Sequence, residues 1–243
     1  ITFRLARGAL GCVAASHELV TLLREHNPRV ELIPTGVDSE VFSPPASRPP
    51  RDRVIFLWNG LVWGAPIFKN LMLLFRAFQR AWPRANHAVL RIVGGGADWE
   101  TIRERAASEF PEVPAEWMEW VEPRQMPELL RSVDAGLLPA AGDDLWLKCK
   151  SPTKLFEYMA AGLPVIATAV GEAAYALRHG ESGYLAEDET AFAEGIVRLA
   201  GDSALRQRLG QAARRQVEAE YALDGLAQRL YRFLNEVYSS RKK

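Results

Sequence analysis

Residues 151–168 have the sequence SPTKLFEYMAAGLPVIAT, in which both ends of a short helix are marked. Ser151 is a favourable N-cap, and Pro152 suits the first helical position, where its missing N–H costs nothing. Gly162 can adopt the left-handed conformation that ends a helix, and Pro164 prevents its continuation. The apolar residues after Pro164 predict a buried strand. The predicted elements are a helix over 152–161 and a strand over 164–168.

Short apolar runs alternate with longer amphipathic segments along nearly the whole chain. Strands are predicted at 11–15, 29–33, 54–59, 88–93, 118–121, 135–139, 164–168 and 183–186. Helices are predicted at 17–26, 71–81, 99–109, 127–132, 152–161, 190–200, 205–219 and 223–238. Several strands, such as the one that starts at Val54, lack apolar–polar alternation, which is typical of parallel sheets covered on both faces. The order indicates an α/β fold with a doubly wound, mostly parallel Rossmann-like sheet, whose ligands bind beyond the carboxyl ends of the strands.

The composition excludes several classes of protein. The chain has 243 residues, of which 48% are apolar and 25% charged, as in an ordinary globular protein. Thirty basic side chains balance thirty acidic ones, so no overall field favours nucleic acid, and we expect no nucleic-acid partner. No apolar run approaches the roughly 20 residues needed to cross a bilayer.

Cysteine and histidine usage argues against a metal centre. Cys12 and Cys149 lie far apart and form no CxxC pair, which fits a reducing compartment and a cytoplasmic location. The four histidines have no metal-ligand spacing, so we predict neither a metal nor a cofactor.

A proline-rich segment at 43–53 is the best candidate for a linker. It separates a short N-terminal part, residues 1–43, from a larger domain over residues 44–243. The chain opens at Ile1 without an initiator methionine, and we expect it to be a fragment or a processed product.

The N-terminus of the helix at 152–161 is a candidate anion site. Its free backbone N–H groups and its macrodipole favour negative charge. Lys154 stands in the first turn, where a cation is unfavourable unless an anion neutralises it. Glu157 follows on the same face, so both side chains can address one ligand, the lysine its phosphate and the carboxylate its ribose hydroxyls. An exposed Lys–Glu pair on a surface helix is an equally good interpretation.

Two further blocks of sequence accompany residues 151–168. One is residues 33–38 (IPTGVD), followed by Phe42 and Pro44, and the other is Gly171-Glu172, followed by residues 179–185. In order and spacing the three blocks resemble the C-terminal, donor-binding domain of retaining GT-B glycosyltransferases of family 4, the glycosyl transferases group 1. The resemblance implies that the first of the two is the hinge that leads into this domain, and that the second is the loop, helix and strand after the donor helix. The sheet would then be one half of a GT-B fold.

The resemblance implies that the substrate is a nucleotide diphosphate sugar and that the sugar passes to an acceptor hydroxyl. Glu157 and Lys154 are the candidate catalytic residues: Glu157 would bind the ribose hydroxyls, and Lys154 would neutralise the leaving diphosphate. Lys69 matches the phosphate-binding lysine of the family, and the nucleobase would lie against the turn at 121–124. The complete set of expected donor-binding residues is Gly60, Lys69, Arg124, Ser151, Pro152, Thr153 and Glu157.

The same resemblance implies two further partners of the chain. An N-terminal GT-B domain would bind the acceptor and supply its catalytic groups. Peripheral contact with the inner face of a membrane, through that domain, is left open. Neither a metal nor a cofactor is implied.

Two positions depart from the family pattern. Leu61 stands where the family usually has an arginine, and Cys149 stands where many members have a glutamate, eight residues before Glu157. The candidate replacements are Asp143 or Asp144 for the carboxylate and Lys148 or Lys150 for the cation. The alternatives to a transferase are a non-catalytic nucleotide- or sugar-binding module and a GT-B epimerase that acts on a nucleotide sugar.

Glycines and tryptophans give weaker signals. Residues 94–96, three consecutive glycines between a strand and a helix, favour a tight turn over a phosphate loop. Trp58 fits the core pattern of its strand. Trp63 and Trp146 lie in predicted loops beside the site, where either could stack on a base or a sugar.

Overall fold

The computed structural model describes residues 2–47 and 51–240 and contains two parallel sheets. The smaller sheet joins β1 (Cys12–Ala14) to β2 (Val30–Leu32). The larger sheet has six strands: β3 (Val54–Leu61), β4 (Ala88–Gly95), β5 (Ala115–Met118), β6 (Ala135–Leu138), β7 (Val165–Thr168) and β8 (Gly183–Ala186).

The spatial order of the larger sheet is β5-β4-β3-β6-β7-β8, and every neighbouring pair is parallel. Two groups of three strands therefore diverge from the central pair β3 and β6, which is the order of a doubly wound Rossmann sheet. The predicted α/β fold class is confirmed. The point where the strand order reverses, between β3 and β6, is where such sheets bind ligands.

Helices flank the sheet and join its strands. They are α1 (Thr2–Gly8), α2 (His17–Arg24), α3 (Gly64–Ala81), α4 (Trp99–Glu109), α5 (Met126–Arg131), α6 (Leu145–Lys148), α7 (Thr153–Ala160), α8 (Glu172–Ala176), α9 (Glu189–Gly201), α10 (Ser203–Glu220) and α11 (Leu223–Ser240). Across residues 2–47 and 51–240, none of them combines the length and apolar character needed to cross a membrane.

Strand β3 is buried on both faces because helices cover both sides of the sheet. Phe56 and Trp58 point to one side and pack in a core that includes α3, α4 and α9. Ile55 and Leu57 point to the other side and pack with α5, α7 and α10. The missing alternation in the sequence of this strand therefore reflects two cores, one on each face.

The N-terminal part of the chain has a small core of its own. It is formed by Ala6, Ala14, Val20, Leu23 and Val30. The last helix, α11, returns to this part: a Cβ on Gly11 would lie 2.8 Å from the ring of Phe233, and Arg229 donates a 2.7 Å hydrogen bond to the carbonyl of Leu32. Residues 48–50 of the predicted linker at 43–53 lie outside the described residues.

The boundaries of two predicted elements are wrong by three residues or more, and three helices of the structure, α1, α6 and α8, are not among the predicted helix ranges. Helix α3 begins at Gly64 rather than at residue 71, because Pro66 falls within the first turn, where its missing N–H is tolerated. Strand β5 ends at Met118 rather than beginning there, since its register is set by pairing with Leu90–Val93 of β4. Helix α6, of four residues, was not predicted.

Candidate functional site

The carboxyl ends of β3 and β6 separate at the point where the strand order reverses. Their pairing is confined to Phe56 with Ala135 and Leu57 with Gly136, although β3 continues to Leu61. A crevice therefore opens beside the last residues of β3. The chain that leaves β6 turns into α7 at the same edge of the sheet, which brings the predicted residues Gly60 and 151–154 to the crevice.

Helix α7 starts one residue later than predicted, and Ser151 does not cap it. The cap position is taken by Pro152, which has no side chain able to accept a hydrogen bond. The hydroxyl of Ser151 accepts instead from the backbone N–H of Thr35, at 2.9 Å. Within the described residues the N–H groups of Thr153 and Lys154 donate to no protein acceptor. The predicted left-handed end of the helix is confirmed, since Gly162 has a φ of +66°.

Lys154 extends along the sheet edge to the end of β3. Its Nζ lies 4.9 Å from the centre of the Trp58 ring, and a Cβ placed on Gly60 would be only 2.4 Å from that Nζ. Burial, with a smaller contribution from the charge of Lys150, lowers the pKa of Lys154 to about 8 despite the opposing effect of Glu157. In the part of the chain that the structure describes, no carboxylate lies within salt-bridge distance of this ammonium. The interpretation of Lys154 and Glu157 as an exposed surface pair is wrong.

Glu157 is partly buried one turn further along α7. Its carboxylate accepts no hydrogen bond from a described residue. Burial raises the pKa of Glu157, and the nearby charge of Lys154 opposes that rise. The helix therefore holds a cation and a carboxylate on one side, and among the described residues neither has a hydrogen-bond or ion-pair partner.

Two polar residues that were not predicted from the sequence, Asn59 and Tyr158, are more deeply buried than Lys154 and Glu157. Tyr158 is fully buried, and its hydroxyl donates to the Oδ1 of Asn59, at 2.5 Å. The Tyr158 ring fills the space next to Gly136, where an added Cβ would meet it at 2.3 Å. An asparagine in an otherwise apolar strand was the available signal for this pair. Burial raises the pKa of Tyr158, so the phenol is neutral and acts as a donor.

The loop after β6 is fixed by side chains from two neighbouring elements. Ala140 donates its N–H to the hydroxyl of Thr168 at 3.0 Å, and Ala141 donates to the Oδ1 of Asn70 at 2.6 Å. Asp144 then caps α6 by accepting from the N–H of Leu147 at 3.0 Å. This carboxylate is therefore engaged in a helix cap. The sequence had instead suggested Asp144 as a replacement for the family's sugar-binding glutamate.

The remaining candidate replacements are also engaged with neighbours. Lys148 lies 3.8 Å from an oxygen of Asp143, which is exposed. The Nζ of Lys150 lies 3.1 Å above the centre of the Trp146 ring. Cys149 is partly buried, and burial raises the pKa of its thiol.

Lys69 and Arg124 lie on other elements at the same edge of the sheet. Lys69 is exposed in the second turn of α3, not in a loop before the helix as the sequence suggested. Arg124 is exposed in a 3-10 turn, Pro123–Gln125, beyond the end of β5. Among the described residues, no hydrogen bond or ion pair joins either side chain to Lys154 or Glu157.

Two of the three consecutive glycines, Gly94 and Gly96, serve close packing of the backbone. A Cβ on Gly94 would lie 1.9 Å from the carbonyl oxygen of Gly60, and one on Gly96 would lie 2.5 Å from the carbonyl oxygen of Val62. Gly96 also has a φ of +134°. These contacts support the interpretation of a tight turn.

A second polar cluster, the hinge junction, joins the N-terminal part to the elements around α7; it comprises Ser16, His17, Thr35, Ser151 and Glu172. Buried Glu172 accepts from the backbone N–H of His17 at 2.9 Å and contacts its ring Nδ1 at 3.0 Å. Ser16 donates to the carbonyl of Cys149 at 2.9 Å. A cleft of about 460 Å³ borders this junction, but no residue of 151–157 lines it.

No metal centre is evident in the described part of the chain. Within residues 2–47 and 51–240, no three or more His, Cys, Asp or Glu side chains are grouped so as to hold an ion. The candidate site is therefore described by its lysine, its carboxylate and the start of α7.

The comparisons with known proteins agree on one family. The model of the family described as Glycosyl transferases group 1 matches residues 54–202. A D-inositol 3-phosphate glycosyltransferase from Jonesia denitrificans is 28% identical over 223 residues, which cover 84% of this chain and 50% of that protein. The chain spans about half the length of the curated relatives it matches.

Solved structures share the fold. The Anabaena protein HepE, solved in complex with UDP, matches with a TM-score of 0.77 and 15% identity over 96% of this chain and 66% of that one. The C-terminal domain of LpcC from Francisella tularensis, a glycosyl transferase group 1 family protein, matches with a TM-score of 0.62 and 19% identity over 77% of this chain and all of that one.

Proposed function

The chain belongs to the glycosyl transferases group 1 family, and from that premise we propose that it is the donor-binding part of a retaining glycosyltransferase. The reaction would move a sugar from a nucleotide diphosphate sugar to an acceptor hydroxyl. The crystal complex of HepE with UDP supports a nucleotide of this kind as the ligand.

The observation that carries the proposal is the position of the Lys154 ammonium and its lack of a carboxylate partner among the described residues. The ammonium is held beside Gly60, at the edge where doubly wound sheets bind ligands. The unpaired N–H groups at the start of α7 point to the same kind of ligand, an anion. A diphosphate would satisfy both groups at once.

The chemistry would be electrostatic. When the bond between the sugar and the diphosphate breaks, negative charge develops on the leaving oxygen. Lys154 and the N-terminus of α7 would stabilise that charge in a fixed, partly dry site, while Glu157 would hold the ribose hydroxyls. Lys69 would add a second, mobile cation from α3, and Arg124 would lie beside the base. The proposal requires neither a metal nor a cofactor.

The acceptor side would come from an N-terminal GT-B domain. Four apolar side chains of the N-terminal part, which a domain of this kind would cover, are exposed: Phe3, Leu5, Leu10 and Val13. A cytoplasmic location belongs to the same proposal, and the free thiols of Cys12 and Cys149 support it.

Calorimetric titration tests the donor site. The chain is titrated with UDP, GDP and ADP, and then with the sugar conjugate of whichever nucleotide binds. We expect binding of at least one nucleoside diphosphate. A chain that binds none of the three would contradict the proposal.

Glu157→Ala tests the assignment of the ribose contact. We expect nucleotide affinity to fall by about 1.5–3 kcal/mol, the range for hydrogen bonds to charged groups. A 2′,3′-dideoxy nucleotide should bind the variant and the unaltered chain equally well. An unchanged dissociation constant for the ordinary nucleotide would remove Glu157 from the site.

A non-catalytic binding module is the second candidate. Cys149 and Leu61 favour it, because a neutral thiol and an exposed apolar side chain replace a carboxylate and a cation of the family. Nucleotide binding with no gain in affinity from the attached sugar, and no turnover of the sugar donor by the full-length protein, would support this candidate over the transferase.

A further inference from the structure

Asn59 is the polar residue at the carboxyl end of an apolar strand. Only 8% of its surface is exposed. It follows Ile55 and Leu57 in the alternation of β3, so it lies on the side of the sheet that α7 covers. The pairing of β3 with β6 ends at Leu57, so no strand is paired with Asn59 along the edge of β3 that faces β6.

The hydroxyl of Tyr158 occupies this gap and fixes the Asn59 amide. It donates to Oδ1 at 2.5 Å. Burial raises the pKa of the phenol, so it keeps its single proton, and that proton is directed at the amide oxygen. The amide oxygen therefore faces Tyr158 and the amide nitrogen faces away.

The amide nitrogen has no protein acceptor. Among the described residues Asn59 Nδ2 donates no hydrogen bond. It is not fully buried either, because in the same residues Gln216 Oε1 is the one side-chain N or O atom that is both fully buried and without a hydrogen-bond partner. The next residue is Gly60, at which the ammonium of Lys154 lies. Two donor groups without a protein acceptor among the described residues, one neutral and one charged, thus lie at neighbouring residues at the carboxyl end of β3.

We propose that Asn59, held by Tyr158, donates from Nδ2 to a diphosphate oxygen of the nucleotide donor. The inference rests on the proposed function, since it assigns a further contact in that donor site. Asn59 is then a binding residue, and Tyr158 is a positioning residue that keeps the donor face of the amide toward the crevice.

Asn59→Asp is the first test. The substitution preserves shape and still offers an oxygen to Tyr158, but it replaces the N–H donor with a charged acceptor. Titrated with whichever of UDP, GDP and ADP binds the unaltered chain, the variant should bind about 10- to 100-fold more weakly, as expected for a lost hydrogen bond to a charged group. Affinity for the corresponding nucleoside, which has no phosphate, should stay unchanged.

Tyr158→Phe is the second test, and it distinguishes positioning from structural support. We expect the same selective loss, with weaker binding of the diphosphate and unchanged binding of the nucleoside. Combined with Asn59→Asp, it should add little further loss, because both changes act through one amide. Tyr221→Phe is the matched control, since Tyr221 is a buried tyrosine that stacks on Phe156 of the same helix. Its diphosphate affinity should equal that of the unaltered chain.

The outcomes separate the two proposals. If the unaltered chain binds no nucleoside diphosphate, the proposed function fails and this inference fails with it. If the unaltered chain binds and Asn59→Asp binds equally well, the inference alone is overturned. Equal loss of nucleoside and diphosphate affinity in both variants, with a lowered melting temperature, would assign Asn59 and Tyr158 to structural support and also overturn it.

Discussion

The crevice beside α7 and the hinge junction both contain buried polar groups, but the two regions differ in how completely those groups are paired. At the hinge junction Ser16, His17, Thr35, Ser151 and Glu172 donate to or accept from one another or a neighbouring carbonyl. In the crevice, within the described residues, Lys154, Glu157 and the amide nitrogen of Asn59 have no protein hydrogen-bond or ion-pair partner.

On the proposed function, this difference separates structural residues from candidate binding residues. A buried polar group without a partner costs stability, and native proteins tolerate such groups where a ligand completes them. The hinge junction therefore stabilises the relative placement of two parts of the chain. The crevice keeps its donors and its acceptor available.

Lys154→Met is expected to have the largest effect on binding. It removes the cation but keeps most of the apolar stem, so affinity for a nucleoside diphosphate should fall about 10- to 150-fold, corresponding to the loss of a charge-assisted hydrogen bond. The melting temperature should rise, because a partly desolvated, unpaired charge is removed.

Lys148→Met is the matched control for that variant. Lys148 is also near α7, but it is exposed and lies 3.8 Å from Asp143. Calorimetry should give an unchanged affinity, and thermal unfolding should give a nearly unchanged melting temperature. A Lys154→Met chain that is both less stable and fully able to bind would contradict the contrast between crevice and hinge junction.

Glu172→Ala is expected to have the opposite profile. It leaves the backbone N–H of His17 without its acceptor, so the free energy of unfolding should fall by about 1–3 kcal/mol. Nucleotide affinity should change little. Denaturant unfolding and calorimetry measure the two quantities, and Glu187→Ala, at an exposed carboxylate, is the control. A large loss of affinity with unchanged stability would place Glu172 in the binding site instead.

Ser151→Ala is expected to have the smallest effect. The variant loses the acceptor for the N–H of Thr35, and the cost should be about 1 kcal/mol of stability because that group is only partly buried. If Ser151 capped α7 or bound phosphate through its hydroxyl, nucleotide affinity would fall as well. We expect the dissociation constant to be unchanged.

Much of the fold could be predicted because its signals are local. The strand at Val54–Leu61 is apolar on both faces, and the end of α7 is marked by Gly162 and Pro164 in the sequence itself. The position of β5 could not be predicted in the same way, because its register depends on pairing with β4.

The candidate site could be proposed from the sequence only where one helix carries it. Lys154 and Glu157 lie one turn apart on α7, and their spacing made them candidates. Asn59 and Tyr158 are 99 residues apart, and the partner that takes Ser151 from the helix cap is 116 residues away. Contacts over such distances depend on how the strands assemble, which local patterns do not encode.

The most direct test of the unpaired lysine is the number of protons taken up when nucleotide binds. Because the pKa of Lys154 is about 8, against an ordinary value of 10.5, the folded chain holds this proton less firmly than the unfolded chain. The resulting destabilisation is present below pH 8 and is relieved as the pH rises toward 10.5, whereas binding of an anion weakens over the same range.

Calorimetric titrations at pH 8, in buffers of different ionisation enthalpy, measure this linkage. A bound diphosphate raises the pKa of Lys154, so we predict uptake of about half a proton per nucleotide at pH 8, and almost none at the same pH in Lys154→Met. Binding without proton uptake at pH 8 would contradict the account, because it would show that the ammonium of Lys154 does not meet the phosphates.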